Sequence, residues 1–364
     1  MKPRIAYIIN SLEGGGAAGP IPGIVEVLTG SGAEVKVLAL TMRNGKALPP
    51  IRDAGIDVTV RQGGEKDHRA ALSWLIAELS ARGATHIWTS LTRAALLGQI
   101  AGSRLRIPVA SWQLNAFLKP WNERLLRLRR NRSQLWIADS QSVAELTVSR
   151  LRVDPDRLLT WTVFVADPEA AVARPFSPGE TLRLGILGRL HENKAYDILI
   201  AALAMLRQQG FTPPVPFEIT IAGEGGDRDR LQALASSASI NNISWPGFST
   251  DPRAFLTGLH LYLQASRREG FCIAAHEAME AGLPVIVSRT GEMPITVEAL
   301  RNGRVVTPGD PVTLAEALRG MLSAPDALYE MGRAGRAGLI ERYSKERFQD
   351  TGRAVLDRLC QIRV

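Results

Sequence analysis

The sequence predicts an α/β protein built from two doubly wound parallel-sheet domains. Its 364 residues exceed what one hydrophobic core usually serves. Apolar runs of strand length alternate with amphipathic helix-forming stretches through both halves. A segment rich in proline and alanine, residues 167–179, interrupts this alternation and has no hydrophobic periodicity. Such a segment is typical of a linker between domains.

In the first half, strands and helices are expected to alternate along the chain. The apolar runs predict strands at 4–9, 34–40, 58–61, 86–89, 109–112, 135–138 and 158–163. The periodic stretches predict helices at 21–29, 70–81, 94–101, 121–132 and 140–150. Because each helical crossover returns the chain to the same edge, the strands should pair in parallel.

The second half repeats this pattern. Strands are expected near 183–188, 217–222, 242–245, 259–264, 284–287 and 304–306, with helices between them. The tail, residues 343–362, is predicted to be a helix with Phe348, Val355, Leu356 and Leu359 on one apolar face. The expected organisation is an N-terminal domain (1–166), a linker (167–180) and a C-terminal domain (181–342), with a tail helix (343–364) that packs back on the first domain.

Composition excludes several classes of protein. The two cysteines, Cys272 and Cys360, form no CxxC pair, which excludes a disulfide scaffold and a cysteine zinc site. No apolar run approaches the roughly 20 residues of a membrane span. The first residues lead into a strand without the apolar core of a signal peptide. We therefore expect a cytoplasmic protein.

Basic residues are concentrated in the first half. Residues 1–166 hold 22 Lys and Arg against 13 Asp and Glu, whereas residues 167–364 hold 22 against 23. The segment 104–132 alone has eight basic residues and one acid. Such a segment suggests an anionic partner, which could be a membrane surface, a nucleic acid or a phosphorylated substrate.

The predicted helix 121–132 in this segment has an apolar stripe formed by Trp121, Leu125 and Leu128. One interpretation is that the stripe packs on the sheet. The alternative, which we favour, is that arginines around the stripe hold this face on an anionic membrane leaflet. No interleaved aromatic residues or groove-reading motif support binding to nucleic acid.

A glycine-rich loop, residues 14–19, follows the first strand and matches the dinucleotide-binding pattern GxGxxG. The second strand does not end in the acidic residue that would hold a ribose diol, although Arg43 keeps an NADP-linked oxidoreductase as an alternative. Amides without side chains can approach a phosphate closely. Gly15 and Gly16 are therefore candidate donor-binding residues.

Three motifs of the second half follow strands of one predicted sheet. Arg189 and Lys194 come after its first strand, where two cations suit a diphosphate leaving group without a metal ion. Glycines at 223–226 follow the next strand. Glu269 lies in a later loop and Glu277 in the following helix, and both can face the crevice where such sheets bind ligands.

These segments, in this order and spacing, resemble the retaining GT-B glycosyltransferases of family 4. The resemblance covers nearly the whole chain and rests on GRLHENK (188–194), AGEG (222–225), EGFCIAAHEAMEAGLPVI (269–286) and NGRVVTPGD (302–310). It implies two Rossmann-like domains facing across a cleft. It also implies transfer of a hexose from a UDP- or GDP-linked donor.

The resemblance also implies roles for residues of this chain. Arg189, Lys194 and Glu269 would form the catalytic set, with the two cations on the diphosphate and Glu269 on the transferred sugar. Glu277 would bind the ribose. The remaining donor-binding positions would be Gly188, Gly223, Glu224, Gly270, Phe271 and Cys272.

The chain departs from the family pattern in three places. A histidine common after the strand at 109–112 is absent, so its acceptor-side role would pass to Gln113 or Asn115. Of the usual Asn-Gly-Val-Asp before the linker, only Asp167 remains. Cys272 replaces a usual glycine.

We therefore expect a metal-independent retaining glycosyltransferase without a cofactor, peripherally bound to the inner face of the membrane. Its acceptor would be a lipid-linked or membrane saccharide of envelope or exopolysaccharide synthesis. The alternatives are a nucleoside-diphosphate-sugar 2-epimerase of the same fold, the oxidoreductase, and a non-catalytic nucleic-acid-binding protein. Two Asp-x-Asp pairs, at 154/156 and 227/229, could suggest a metal site but are better explained as helix caps and surface residues.

Overall fold

The computed structural model describes residues 2–14, 16–114 and 118–362. The chain divides into two compact units. Unit 1 comprises residues 1–165 and 345–364, and unit 2 comprises residues 166–344. Each unit has one parallel sheet with helical crossovers, so the predicted fold class is confirmed.

Unit 1 contains seven strands and seven α-helices in its described part. The strands are β1 (Arg4–Ile9), β2 (Glu34–Ala39), β3 (Val58–Val60), β4 (His86–Ser90), β5 (Val109–Gln113), β6 (Leu135–Ala138) and β7 (Leu158–Thr160). The helices before unit 2 are α1 (Ile21–Gly30), α2 (Leu48–Asp53), α3 (His68–Ala81), α4 (Thr92–Leu105), α5 (Pro120–Arg129) and α6 (Gln141–Leu151). The strand order is β3-β2-β1-β4-β5-β6-β7, so the strand order reverses beside β1 and β4, where ligands of such sheets bind.

Unit 2 has a six-stranded parallel sheet. Its strands are β8 (Leu182–Leu187), β9 (Phe217–Ala222), β10 (Ile243–Gly247), β11 (Leu261–Gln264), β12 (Val285–Ser288) and β13 (Gly303–Val306). Its helices are α7 (Tyr196–Gln208), α8 (Arg228–Ser237), α9 (Pro252–Thr257), α10 (Ile273–Glu280), α11 (Met293–Leu300), α12 (Pro311–Leu322) and α13 (Asp326–Arg342). The order β10-β9-β8-β11-β12-β13 brings the carboxyl ends of β8, β9 and β11 to one edge.

The last helix, α14 (Lys345–Cys360), follows unit 2 in the chain but packs in the core of unit 1. The ring of Phe348 lies 5.1 Å from that of Trp161, which stacks at 5.3 Å on Trp112. The predicted apolar face of the tail is buried throughout. The predicted strand 158–163 was too long, because the chain leaves the sheet after Thr160 and buries Trp161 in this core.

The apolar stripe of the basic helix does not pack on the sheet, which was one of our two interpretations. Leu126 is fully buried and anchors α5, whereas Trp121 is 67% exposed and Leu128 is 79% exposed. The α-helix ends at Arg129 and continues as a 3₁₀ turn, Arg130–Arg132. No helix in the described residues is both long and apolar enough to span a membrane.

The proposed linker segment has no regular structure but is held by hydrogen bonds to unit 2. The amide of Asp167 donates to the Glu280 carboxylate over 2.6 Å. The amide of Ala173 donates to the carbonyl of Ala281 over 2.8 Å. Arg336 donates from α13 to carbonyls of the same segment. The segment is therefore an ordered part of unit 2.

Gly352 allows α14 to approach unit 1 closely, and we predict that Gly352→Ala destabilises the unit. A Cβ atom there would lie 2.4 Å from a ring carbon of Trp161 and 2.6 Å from a methyl group of Val27. Overpacking of this kind lowers the free energy of unfolding by about 1–3 kcal/mol. Urea unfolding followed by tryptophan fluorescence reports on unit 1, which holds six of the seven tryptophans.

Gly30→Ala is the matched control in unit 1, because Gly30 is helical and exposed and no atom lies within 4 Å of its Cβ position. This variant should be unchanged or more stable, by up to about 1 kcal/mol. Equal urea midpoints for Gly352→Ala and the wild type would show that α14 can shift without loss of packing.

Candidate active site

Two loops at the carboxyl ends of β8 and β9 touch through their backbones. A Cβ atom on Gly223 would lie 1.9 Å from the carbonyl oxygen of Gly188, so no other residue fits without movement. A Cβ atom on Gly225 would lie 2.1 Å from the carbonyl oxygen of Leu190. The amide of Leu190 donates to the carbonyl of Glu224 over 2.8 Å. Small residues at these positions therefore bring the predicted Gly188 and Gly223 motifs into contact.

Lys194 and Glu269 form an ion pair at this edge of the sheet. Their Nζ and Oε1 atoms are 2.7 Å apart, and their side chains are 22% and 13% exposed. Lys194 ends a 3₁₀ turn, Glu192–Lys194, which His191 caps by accepting a hydrogen bond from the amide of Asn193. Two predicted catalytic residues, 75 positions apart in the chain, thus lie in contact.

Arg189 lies on the surface beside them. Its side chain is exposed. Burial, and after it the charge of Arg189, act to lower the pKa of Lys194, but the charge and the hydrogen bond of Glu269 act in the opposite direction, and the net result is a raised pKa for Lys194. The ammonium form of Lys194 is therefore kept, with its positive charge available at the loop edge.

A chain of buried polar side chains holds Glu269 in place. Ser266 donates to Glu269 Oε1 over 2.6 Å, and Gln264 donates to Ser266 over 2.8 Å. The hydroxyl of Tyr262 donates to Gln264 over 2.8 Å. The contacts of the carboxylate within the described residues converge on Oε1, which leaves Oε2 available to a ligand.

Sequence reasoning missed these supporting residues, although the sequence contained a signal for them. Tyr262, Gln264 and Ser266 alternate along an otherwise apolar run, and alternate residues of a strand share one face. A buried polar group needs hydrogen-bond partners. The alternation therefore indicated a polar network directed towards the carboxyl end of β11.

The loop after Glu269 leads into α10 through a strained residue. Cys272, where the family usually has glycine, adopts φ 65° in the left-handed region. Burial raises the pKa of its thiol to about 12, so the thiol stays protonated at neutral pH. The carbonyl of Gly270 accepts from the amide of Glu292 over 2.9 Å, and a Cβ on Gly291 would lie 2.0 Å from it. Backbone contacts thus position Gly270 and the start of α10.

Phe271 and His276 form part of the packing beneath this loop. Their rings stack with centroids 3.9 Å apart. His276 contacts the carbonyl of Cys272 through Nδ1 at 3.0 Å and the Thr296 hydroxyl through Nε2 at 3.1 Å. Burial lowers the pKa of His276 to about 3. His276 is therefore a neutral packing residue.

Glu277 lies one turn into α10 and is half buried. Its carboxylate makes no hydrogen bond or ion pair within residues 118–362 or the other described segments. Burial, and then the charge of Glu280, raise its pKa above the ordinary value. A half-buried carboxylate without a partner has acceptor capacity for hydroxyl groups of a ligand.

The predicted residues of the first half lie in unit 1. Gly16 is exposed in the glycine-rich loop, and Gln113 is buried at the end of β5. Nε2 of Gln113 is buried without a hydrogen-bond partner among the described residues. Gly15 and Asn115 lie outside the described residues, so their predicted roles stay predictions.

The residues on which the NADP-linked oxidoreductase and the Asp-x-Asp metal site depend contact other residues of the chain. Arg43, which the NADP interpretation requires, is bound to Glu13 and Glu65 at 2.6 Å each. Asp154 accepts from the amide of Asp156 and caps a 3₁₀ turn, while Asp227 pairs with Arg230. Within the described ranges, no group of three or more histidine, cysteine or acidic residues is arranged to hold a metal ion.

Comparison with known proteins finds a family match in the second unit. Residues 169–338 match the family model described as "Glycosyl transferases group 1". The matched residues all lie within unit 2. The chain is 30% identical over 199 residues to the putative colanic acid biosynthesis glycosyltransferase WcaL of Escherichia coli, covering 51% of this chain and 45% of WcaL. It is 30% identical over 164 residues to a D-inositol 3-phosphate glycosyltransferase of Corynebacterium jeikeium. This match covers 43% of this chain and 38% of that protein.

The chain thus spans about half or less of the length of the curated relatives it matches. Solved structures match over nearly the whole chain. Anabaena Alr3699/HepE, solved with UDP, has a TM-score of 0.82 at 20% identity and full coverage of both chains. A Rickettsia africae glycosyltransferase has a TM-score of 0.80 at 15% identity, covering 99% of each chain. The likeness shows that the fold is GT-B.

The contact between the two glycine loops leads to a prediction about Gly223→Ala. The added methyl group would collide with the backbone of Gly188 and force the β8 and β9 loops apart. Hydrogen exchange should then accelerate at the amides of Gly188 and Leu190, which bond across this contact. We expect a loss of about 1–3 kcal/mol in protection, as for other overpacked sites.

Gly226→Ala is the control in the same loop, because no atom lies within 4 Å of its Cβ position. Its exchange rates at Gly188 and Leu190 should equal those of the wild type. Unchanged protection in Gly223→Ala would mean that the loops can separate without cost.

Proposed function

We propose that the protein is a retaining glycosyltransferase that moves a hexose from a UDP- or GDP-linked donor to a lipid-linked or membrane saccharide. The contact between Lys194 and Glu269 carries this proposal. In the donor, the diphosphate is bonded directly to the anomeric carbon of the sugar. A cation for the diphosphate and a carboxylate for the sugar hydroxyls therefore have to lie side by side, as these two residues do.

The proposed reaction needs no nucleophile from the protein. The bond between the anomeric carbon and the diphosphate oxygen breaks while the acceptor oxygen bonds to the same face of the sugar. The departing diphosphate takes the proton of the acceptor hydroxyl. Arg189 and Lys194 stabilise the charge that grows on the leaving group, the role that a metal ion has in other transferases.

The other residues bind and orient the donor. Glu277 accepts hydrogen bonds from the ribose hydroxyls, and Glu269 holds the sugar through its available Oε2. Ser266 and Gln264 fix the carboxylate before the donor arrives. Groups that need no reorganisation during the reaction stabilise a transition state most effectively.

Relatives support the proposal for donor and pathway. The solved structures of Alr3699/HepE contain UDP and UDP-glucose, and WcaL is described as a colanic acid biosynthesis enzyme. A nucleotide-sugar donor and a role in envelope or exopolysaccharide synthesis are the corresponding proposals for this chain. The 2-epimerase alternative predicts a changed sugar in nucleotide-linked form without any acceptor, which chromatography of the donor would detect.

The two glutamates should have separable functions. With whichever of UDP and GDP binds the wild type, Glu277→Gln should weaken binding about 10-fold, because ribose loses a charge-assisted contact. Glu269→Gln should bind the nucleotide normally and lower kcat by on the order of 100-fold. Calorimetry and initial rates measure the two effects, and the reverse pattern would exchange the two roles.

The pH dependence of nucleotide binding provides an independent test of Glu277. Its raised pKa means that it loses its charge at a higher pH than an ordinary glutamate. A protonated carboxyl accepts hydrogen bonds less well, so wild-type affinity should fall as the pH drops through that raised pKa and recover above it. Glu277→Gln lacks this titration, so the affinity ratio of the two proteins should shrink towards acid pH.

We further propose that the exposed face of α5 docks on an anionic membrane. Trp121, Arg124, Leu128 and Arg132 share this face and are all exposed. Arg127, in contrast, is bound to Glu123 and to the carbonyl of Arg150. An exposed apolar pair flanked by arginines suits the boundary between headgroups and acyl chains.

The variant Arg124→Glu with Arg132→Glu should lose binding to phosphatidylglycerol vesicles. Each surface arginine adds about 1 kcal/mol of attraction, so the loss should be at least about 30-fold in sedimentation assays. The charge-matched control is Arg52→Glu with Arg69→Glu, two exposed arginines of unit 1 outside α5. If both pairs bind like the wild type, the α5 face is not the docking surface.

A further inference from the structure

Unit 1 contains a cavity of about 670 Å³. It lies where β1 and β2 end and where α4 begins, and α5 forms one wall. Asn10 and Thr41 line it from the strands, and Leu125 lines it from α5. Its size is that of a pocket for a small molecule or for one group of a larger one.

The charged residues around the cavity are mostly cations. Arg43 and Glu65 neutralise each other on one side, with Glu13 as a second partner of Arg43. Arg93 donates to Asp67 over 3.0 Å, but its Nε atom is buried without an acceptor in the described parts of the chain. The remaining cations are Arg129, at the end of α5, and Lys119, just before α5. His68, the first residue of α3, also lines the cavity.

Arg129 is the least compensated of these cations. Its side chain makes no ion pair or hydrogen bond with any residue that the structure describes, and its Nε atom is buried. Burial, and then the charge of Arg132, lower its pKa. A buried guanidinium N–H without an acceptor is costly unless a ligand supplies one. The ammonium group of Lys119 likewise has no partner among the described residues.

The start of α4 adds to the positive potential of the cavity. Thr92 and Arg93, its first residues, line the wall, and Asn10 accepts from the amide of Ala94 over 2.7 Å. The preceding residue, Leu91, adopts φ 76° and ψ 160°, a conformation that is strained for any residue except glycine. This strained turn aims the amino end of a 14-residue helix, with its partial positive charge, into the cavity.

We propose that this cavity binds a phosphate group carried by the acceptor. Arg93, Lys119 and Arg129 would donate to the phosphate oxygens, and Trp121 and Leu125 would contact the less polar part of the molecule. The inference rests on the proposed function and specifies the acceptor as a phosphorylated saccharide or lipid headgroup. Guanidinium groups bind phosphate in a forked geometry, which suits the two arginines that retain buried, unpartnered N–H groups.

The test uses sn-glycerol 3-phosphate as the probe, with glycerol as its neutral counterpart, on the full chain saturated with UDP or GDP. Ligand-observed NMR titration should show binding of the phosphate ester and none of glycerol. Arg129→Gln and Lys119→Gln should each raise the Kd about 10-fold, the effect of one charge-assisted hydrogen bond. Arg124→Gln, exposed on α5, and Arg132→Gln, exposed in the 3₁₀ turn that follows it, should not change the Kd.

The same samples separate the possible failures. Absence of nucleotide binding would count against the proposed function, whereas nucleotide binding without phosphate-ester binding would overturn only this inference. An unchanged Kd in both Lys119→Gln and Arg129→Gln would also overturn it. Lys119 is exposed, so its variant tests the cavity even if Arg129→Gln folds poorly.

Vesicles then distinguish the two sources of the phosphate. If the cavity takes a lipid headgroup, Arg129→Gln should weaken binding to phosphatidylglycerol vesicles. Its weaker binding to phosphatidylcholine vesicles should equal that of the wild type. If it takes a soluble phosphorylated saccharide, Arg129→Gln should bind both kinds of vesicle as the wild type does while still losing the phosphate ester. Either result supports the cavity as a phosphate site.

Discussion

The site in unit 2 depends on the satisfaction of one buried carboxylate. Glu269 is almost entirely removed from water, and an isolated charge in that position would be strongly destabilising. Lys194 supplies the opposite charge, and Ser266 and Gln264 supply hydrogen bonds to the same oxygen. This arrangement holds the loop between β11 and α10. Because these contacts fix Oε1, they also fix the position of Oε2. The geometry of the proposed sugar site is thereby set by β11, a rigid strand.

Much of this arrangement could be predicted from the sequence because strand and loop positions follow from hydrophobic periodicity. Once β8, β9 and β11 are parallel neighbours, their carboxyl ends must meet, and Arg189, Lys194 and Glu269 follow them directly. The contact between Gly188 and Gly223 was not predictable in detail, since it depends on the distance between two backbones. The alternation of Tyr262, Gln264 and Ser266 could have been interpreted, but the apolar character of the run concealed it.

The basic helix shows that a periodic pattern predicts a helix without deciding which of its faces is buried. The predicted apolar stripe of α5 runs through Trp121, Leu125 and Leu128, and Leu126 lies outside it. The structure buries Leu126 and leaves Trp121 and Leu128 exposed. Which arginines are engaged also depended on tertiary contacts, since Arg127 reaches α6 and Arg129 lines a cavity. The local pattern predicted the helix, and the neighbouring elements determined its orientation.

The position of α14 has a consequence for synthesis of the chain. Because residues 345–360 complete the core around Trp161, the ribosome must make all of unit 2 before unit 1 can close. Domains usually fold in order as they emerge, and synthesis at about 5–20 residues per second leaves this core open for roughly 10–40 seconds. During that interval Trp161 lacks its contact with Phe348. A nascent chain that stops short of α14 would therefore present a substrate for quality control even though most of its sheet is already made.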